Sequence, residues 1–432
     1  MRGFLTDSRN IERSGVLWNM IGSMVVAFRS VVLLVVMGYT VDIVYAGIFT
    51  IGNTDGNLML GIGKYGVRNY QVSDVEGRYS FEEYRRARVR SCIMMITATL
   101  IYVTYMALRG SYDMYKYMTV IWTCLFMVPD AYEDVYYGEY QRRGRLDIGA
   151  KALSVRAIFN MVLMSVLIIA TRDILVTMIV TTVVTTVVML LLIRATKTYA
   201  EDSCSAADAI AGRESGSTKH VREILATTFP LMVISLLTMY ISAAPRNSID
   251  RYMTDEVQAV YGYIAMPIFV IGLAASFVFN PIYNRLSHLY YDGELRRFVL
   301  LIVRQLLVIA GITLICIAGA WLIGIPVLSV MYNTDLSEYK TDLLLILVGG
   351  AFLAAAAMLG SVITIFRYQK YSMAGDVVVA VTASFVCDVA VSSYGIRGAV
   401  VIYILLEALL CVIFAGITAV GVLRKRQEIT AV

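Results

Sequence analysis

A few groups that can do chemistry stand in stretches that are otherwise apolar. Arg29 lies inside "SMVVAFRSVVLLVV" (Ser23 to Val36). A guanidinium at the centre of a spanning helix costs about 2.5–3.5 kcal/mol on insertion scales. Either a functional role inside the membrane or a headgroup reached by snorkelling must offset that cost. Glu407 stands in "VIYILLEALLCVIF". A mid-membrane acid is paired with a cation, protonated by desolvation, or an ion-coupling site. Arg156 and Arg304 sit a turn or two from the ends of their apolar runs, where snorkelling and cavity lining both fit. Lys151 reads as interfacial. The stretch "IGNTDGNLMLGIG" adds Gly52, Gly56, Asn53, Asn57 and Asp55. Glycines four apart allow close helix contact; the Asn pair on one face equally fits a cavity wall, and Asp55 is a second candidate ion-coupling acid. Asp42, beside Thr40, suits a helix N-cap.

Composition says what must hold these groups. Of 432 residues, 59% are hydrophobic and only 16% charged, with a mean hydropathy of +0.71. A soluble chain carries roughly 25% charged residues to solvate its surface, so this is an integral membrane protein. The six cysteines are scattered and there are two histidines, which points away from a disulfide framework, a metal centre or a His-based active site. No cofactor and no nucleic-acid partner are expected. The polar N-terminus "MRGFLTDSRNIERSG" lacks the short apolar region of a removable signal peptide.

Windows of about 20 apolar residues, enough to cross a bilayer core, recur near 14–37, 40–62, 89–108, 116–137, 148–170, 173–193, 224–244, 257–279, 298–324, 343–366, 373–391 and 398–421. With the N-terminus inside, 26 of the 37 Lys and Arg fall in inner segments, 7 in outer segments and 4 within spans. Cytoplasmic segments favour Lys and Arg, so twelve spans with both termini cytoplasmic are expected. The hydrophilic insert "ATKTYAEDSCSAADAIAGRESGSTKH" (Ala195 to His220) splits the spans six and six. It divides the chain into an N-terminal half at 1–195, a cytoplasmic linker at 196–221 and a C-terminal half at 222–432. A faint repeat agrees with that division. "YTVDIVYAGIFTI" and "YMTDEVQAVYGYI" each open the second span of a half, as in transporters built from parallel repeats.

The outer loops are short, and no P-loop, nucleophile elbow or HExxH appears, so an enzyme is not expected. Twelve spans in two similar halves fit alternating access better than a pore.

Three stretches carry a family likeness: "IGKYGVRNYQVSDVEGRYSFEEY" (Ile62 to Tyr84), "EDVYYGEYQRRGRLDIGAK" (Glu133 to Lys151) and "APRNSIDRYMTDEVQAVYGYIAMP" (Ala243 to Pro267). Together they resemble Wzx-type oligosaccharide flippases of the multidrug/oligosaccharidyl-lipid/polysaccharide exporter superfamily. The resemblance runs the whole chain and implies an all-α membrane fold, two six-helix lobes around a central cavity. It implies a polyprenyl-pyrophosphate-linked oligosaccharide as cargo, moved to the outer leaflet of the bacterial cytoplasmic membrane. A polysaccharide polymerase and glycosyltransferases would be its partners. A guanidinium fork matches phosphate oxygens, so the resemblance assigns Arg29 to the pyrophosphate, with Arg68 and Arg246 beside it. A multidrug exporter of the same superfamily, favoured by an acidic, aromatic-lined cavity, and a peptidoglycan-precursor flippase are the competing readings.

Overall fold

The computed structural model describes residues 2–8, 10–74, 78–201, 218–366 and 368–431. Most of the expected linker at 196–221 therefore lies outside the described residues. Among the described residues the chain forms helices and no strand. It divides into two compact units, Met1–Met239 and Tyr240–Val432.

The first unit holds α1 (Arg2–Thr6), α2 (Ile11–Thr40), α3 (Ile43–Lys64), α4 (Val67–Ser73), α5 (Phe81–Leu108), α6 (Met114–Leu125), α7 (Val128–Arg142), α8 (Leu146–Thr171), α9 (Ile174–Thr196) and α10 (Thr198–Glu201). Next comes α11 (Thr218–Tyr252), and the unit boundary falls inside it. The second unit continues with α12 (Asp255–Ala265), α13 (Ile268–Tyr291), α14 (Leu295–Gly319), α15 (Ile325–Tyr332), α16 (Lys340–Ile365) and α17 (Gln369–Ala431).

Every expected span finds its helix. Nine helical stretches among the described residues are long and apolar enough to cross a bilayer. One of them, Gln369–Gln427, contains two expected spans joined at Gly395, whose φ of 59° only a residue without Cβ adopts cheaply. The two spans outside the nine, α3 and the pair α6–α7, carry the buried polar groups described below. Prolines set the breaks. Pro129 lacks the N–H that would bond Leu125, and α6 stops there before α7 begins. Pro326 likewise follows a π-helical turn, Ala320–Gly324, between α14 and α15.

Caps and glycines behave as the sequence predicts. The Asp42 side chain accepts from the Val44 amide at 3.0 Å and caps α3. A Cβ on Gly52 would stand 3.2 Å from Thr123, and one on Gly56 3.0 Å from Met127, so both glycines let α3 close on the α6 side. On α2, Gly15, Gly22 and Arg29 are seven apart and share one face. Gly15 packs on the backbone of Asp147, and a Cβ on Gly22 would lie 2.8 Å from Ser154 Oγ. These two contacts press α2 against α8 and turn Arg29 inward.

Lys151 stands near the start of α8. It is buried, and its ammonium donates to the carbonyls of Phe4 at 2.8 Å and Asp7 at 3.1 Å and to Ser8 Oγ at 2.9 Å. It ties the N-terminal segment to α8.

Candidate functional site

Because α2 turns its glycine face to α8, Arg29 ends up inside the first unit with 6% of its surface exposed. A snorkelling arginine would be exposed along its stem and tip; this one is not. Its guanidinium lies 4.8 Å from the centre of the Phe126 ring, at the break between α6 and α7. Such a cation–π contact is worth roughly 0.5–2 kcal/mol, less than the insertion cost of the charge. Among the described residues Arg29 makes no ion pair or hydrogen bond. Asp130 and Arg156 are the charges within its electrostatic reach.

The acids of α7 explain how the other cations are held. Asp130, Glu133 and Asp134 fall at helical spacing, so one face of α7 offers carboxylates to several neighbours. Arg156 Nη2 contacts Asp130 Oδ1 at 2.5 Å and also donates to Glu133 Oε1. Its Nε and Nη1 are buried without a hydrogen-bond partner among the described residues. One turn along, Asp134 pairs with Arg88 at 2.8 Å and Arg68 at 3.2 Å. Arg88 is fully buried and also donates to the carbonyls of Gly63 and Lys64 at 2.8 and 2.6 Å, satisfying the end of α3. Glu139 accepts from Gln71, Arg142 and Arg143. The helix is a ladder of buried carboxylates, each occupied by basic or amide partners.

The sequence candidates therefore separate. Arg29 and Arg156 come together in one polar cluster of the first unit. Arg68 is engaged with Asp134 and with Gln141 Oε1 at 2.9 Å, which assigns it to the ladder. Arg304 lies on an exposed apolar face of α14 with Leu300, Val303 and Leu307, the setting in which a guanidinium snorkels. Asn57 is exposed and spends its amide on the Asn53 carbonyl at 2.7 Å, one turn back on α3. Asp55 is fully buried in the same helix.

Arg246 belongs to the second unit, where its guanidinium lies 5.6 Å from the centre of the Tyr261 ring. Glu407 is fully buried there and accepts from Ser242 Oγ at 2.6 Å, while its Oε2 has no hydrogen-bond partner among the described residues. Among the described residues no acidic, cysteine or histidine cluster is arranged to hold a metal ion. Asp130 and Glu133 are the functional groups that sequence reasoning missed. The signal was present: two carboxylates three residues apart inside the apolar window 116–137.

No known protein-family model matches the sequence, and no curated protein matches it. Solved structures do resemble it. The lipid II flippase MurJ, in an inward closed conformation, superposes with a TM-score of 0.66 at 12% identity, over 96% of this chain and 93% of that one. An inward-facing multidrug resistance MATE transporter of the MOP superfamily gives 0.63 at 15% identity, over 96% and 95%. The Vibrio cholerae MATE transporter VcmN in its bent form gives 0.58 at 13%, over 96% and 98%. The chain is a multi-pass, all-α membrane protein with the fold that MATE transporters and the MurJ flippase share.

Proposed function

We propose that this protein is a flippase for a polyprenyl-pyrophosphate-linked oligosaccharide, carried to the outer leaflet of the bacterial cytoplasmic membrane by alternating access. Both termini face the cytoplasm in this reading, and a polysaccharide polymerase and glycosyltransferases act beside it. The observation that carries it is Arg29: a buried intramembrane cation with no ion pair or hydrogen bond among the described residues. A charge kept at that cost has a use, and its fork geometry fits a phosphate head. The fold shared with a lipid II flippase supports the class of cargo. Glu407 is the candidate coupling acid, with Asp55 a second. Arg246 and Arg156 assist the anion, whereas Arg68 and Arg304 are better explained by the ladder and by snorkelling.

A multidrug exporter is the second reading, favoured by the MATE likeness and by the buried acids of α7. Variants at Arg29 separate the two. In surface-glycan complementation, Arg29→Leu should abolish export at normal membrane levels, and Arg29→Lys should retain part of it, keeping charge without the fork. Full export by well-expressed Arg29→Leu would reject the anion reading.

A further inference from the structure

The two arginines of the first unit differ in how they are occupied, although one cluster holds both. Arg156 meets two carboxylates through a single nitrogen and keeps Nε and Nη1 buried and unpartnered. Arg29 faces the Phe126 ring and makes no ion pair or hydrogen bond among the described residues. Asp130 is the group common to both: it touches Arg156, and its charge reaches Arg29, with Lys64 the next cation. Its side chain is also the freer of the two acids, 14% exposed against 3% for Glu133.

Formal charge in the cluster balances, two guanidinium groups against two carboxylates. An arriving diphosphate breaks that balance, since its charge repels the nearest carboxylate in a medium where charges interact strongly. We infer that Asp130 is the resident counter-anion of Arg29, and that an anionic head binds Arg29 by driving Asp130 fully onto Arg156. The unpartnered Nε and Nη1 are the donors that receive it, turning a one-nitrogen contact into a bidentate pair. Release runs in reverse: Asp130 returns to the field of Arg29 and competes the head away. This exchange rests on the anion-site reading above and adds to it a built-in competitor, which keeps binding weak enough for turnover.

The test uses the full-length protein in nanodiscs with inorganic pyrophosphate as probe. Asp130→Asn removes the competitor while Glu133 still pairs Arg156, so the fold keeps its counter-charge. Its affinity for pyrophosphate should rise roughly tenfold, the order expected from removing one nearby like charge. Glu133→Gln, equal in net charge, should change affinity by no more than about twofold, and Arg29→Gln in the Asp130→Asn background should abolish binding. Farnesyl diphosphate run in parallel should rank the variants in the same order and bind tighter throughout, marking a lipid-borne head. An unchanged or weakened Asp130→Asn overturns the inference. So does Glu133→Gln tightening as much as Asp130→Asn, which would reduce the effect to net charge, or a ranking confined to pyrophosphate. These results leave the anion site itself standing. Equal pyrophosphate binding by wild type and Arg29→Gln, or none by either, removes the anion site and the exchange with it.

Discussion

Replacing Arg156 with Met should be the most destabilising single change in the first unit's polar cluster. The side chain is 2% exposed and is the direct contact of both Asp130 and Glu133. Removing it leaves two carboxylates buried at membrane depth without their cation. Breaking a buried pair from one side costs about 3–5 kcal/mol, mostly the penalty of the stranded charge. At roughly 2–4 °C per kcal/mol for a unit of this size, the midpoint should fall on the order of 10 °C. Arg29→Leu is the internal control. It removes a buried cation that has no ion pair among the described residues and leaves Asp130 paired with Arg156, so its midpoint should stay near wild type. The triple change Arg156→Met, Asp130→Asn, Glu133→Gln should recover part of the loss, because no carboxylate is then stranded and Arg29 remains as the cluster's one buried charge. Thermal midpoints of detergent-purified protein, followed by fluorescence size-exclusion, read all three. A wild-type midpoint for Arg156→Met, or a triple variant no better than the single, would refute the claim that these carboxylates depend on Arg156.

Two further outcomes follow from other parts of the molecule. Cysteines placed at the exposed positions 219 and 252, at opposite ends of α11, should respond oppositely to an impermeant reagent in intact cells: Tyr252→Cys labels and Lys219→Cys does not, in a background without native cysteines. The reverse pattern overturns the proposed orientation. Glu407→Gln cannot titrate but can still accept from Ser242, so transport should lose pH dependence while the protein folds normally; an unaltered pH profile would leave Glu407 with the Ser242 hydrogen bond as its whole role.

What the sequence made legible was whatever depends on local pattern. Span lengths, the Asp42 cap and the close approach at Gly52 and Gly56 follow from composition and helical spacing, and the structure has all of them. Arg29 was legible as a question, because one charge in an apolar run has to be accounted for. Its burial was not, since that depends on Gly15 and Gly22 seating α2 on α8. Arg68 shows the limit from the other side: its partners Asp134 and Gln141 are 66 and 73 residues away, and no local spacing reveals them. Lys151 shows the same limit: its partners are two carbonyls and a serine hydroxyl of the N-terminal segment, which no local spacing reveals. The carboxylate ladder of α7 is written locally, in Asp130, Glu133 and Asp134 at helical spacing inside an apolar window.

The central claim is that Arg29 binds an anionic lipid head on its way across the membrane. Its direct test is purified protein in proteoliposomes loaded on one leaflet with a polyprenyl-diphosphate oligosaccharide, the sugar then detected from the opposite side with an impermeant reagent. Wild type should expose the sugar with time, Arg29→Lys should do so more slowly, and Arg29→Leu should match empty liposomes while keeping a wild-type thermal midpoint. Equal rates for wild type and Arg29→Leu, or a wild type that moves an organic cation and leaves the lipid in place, would contradict it.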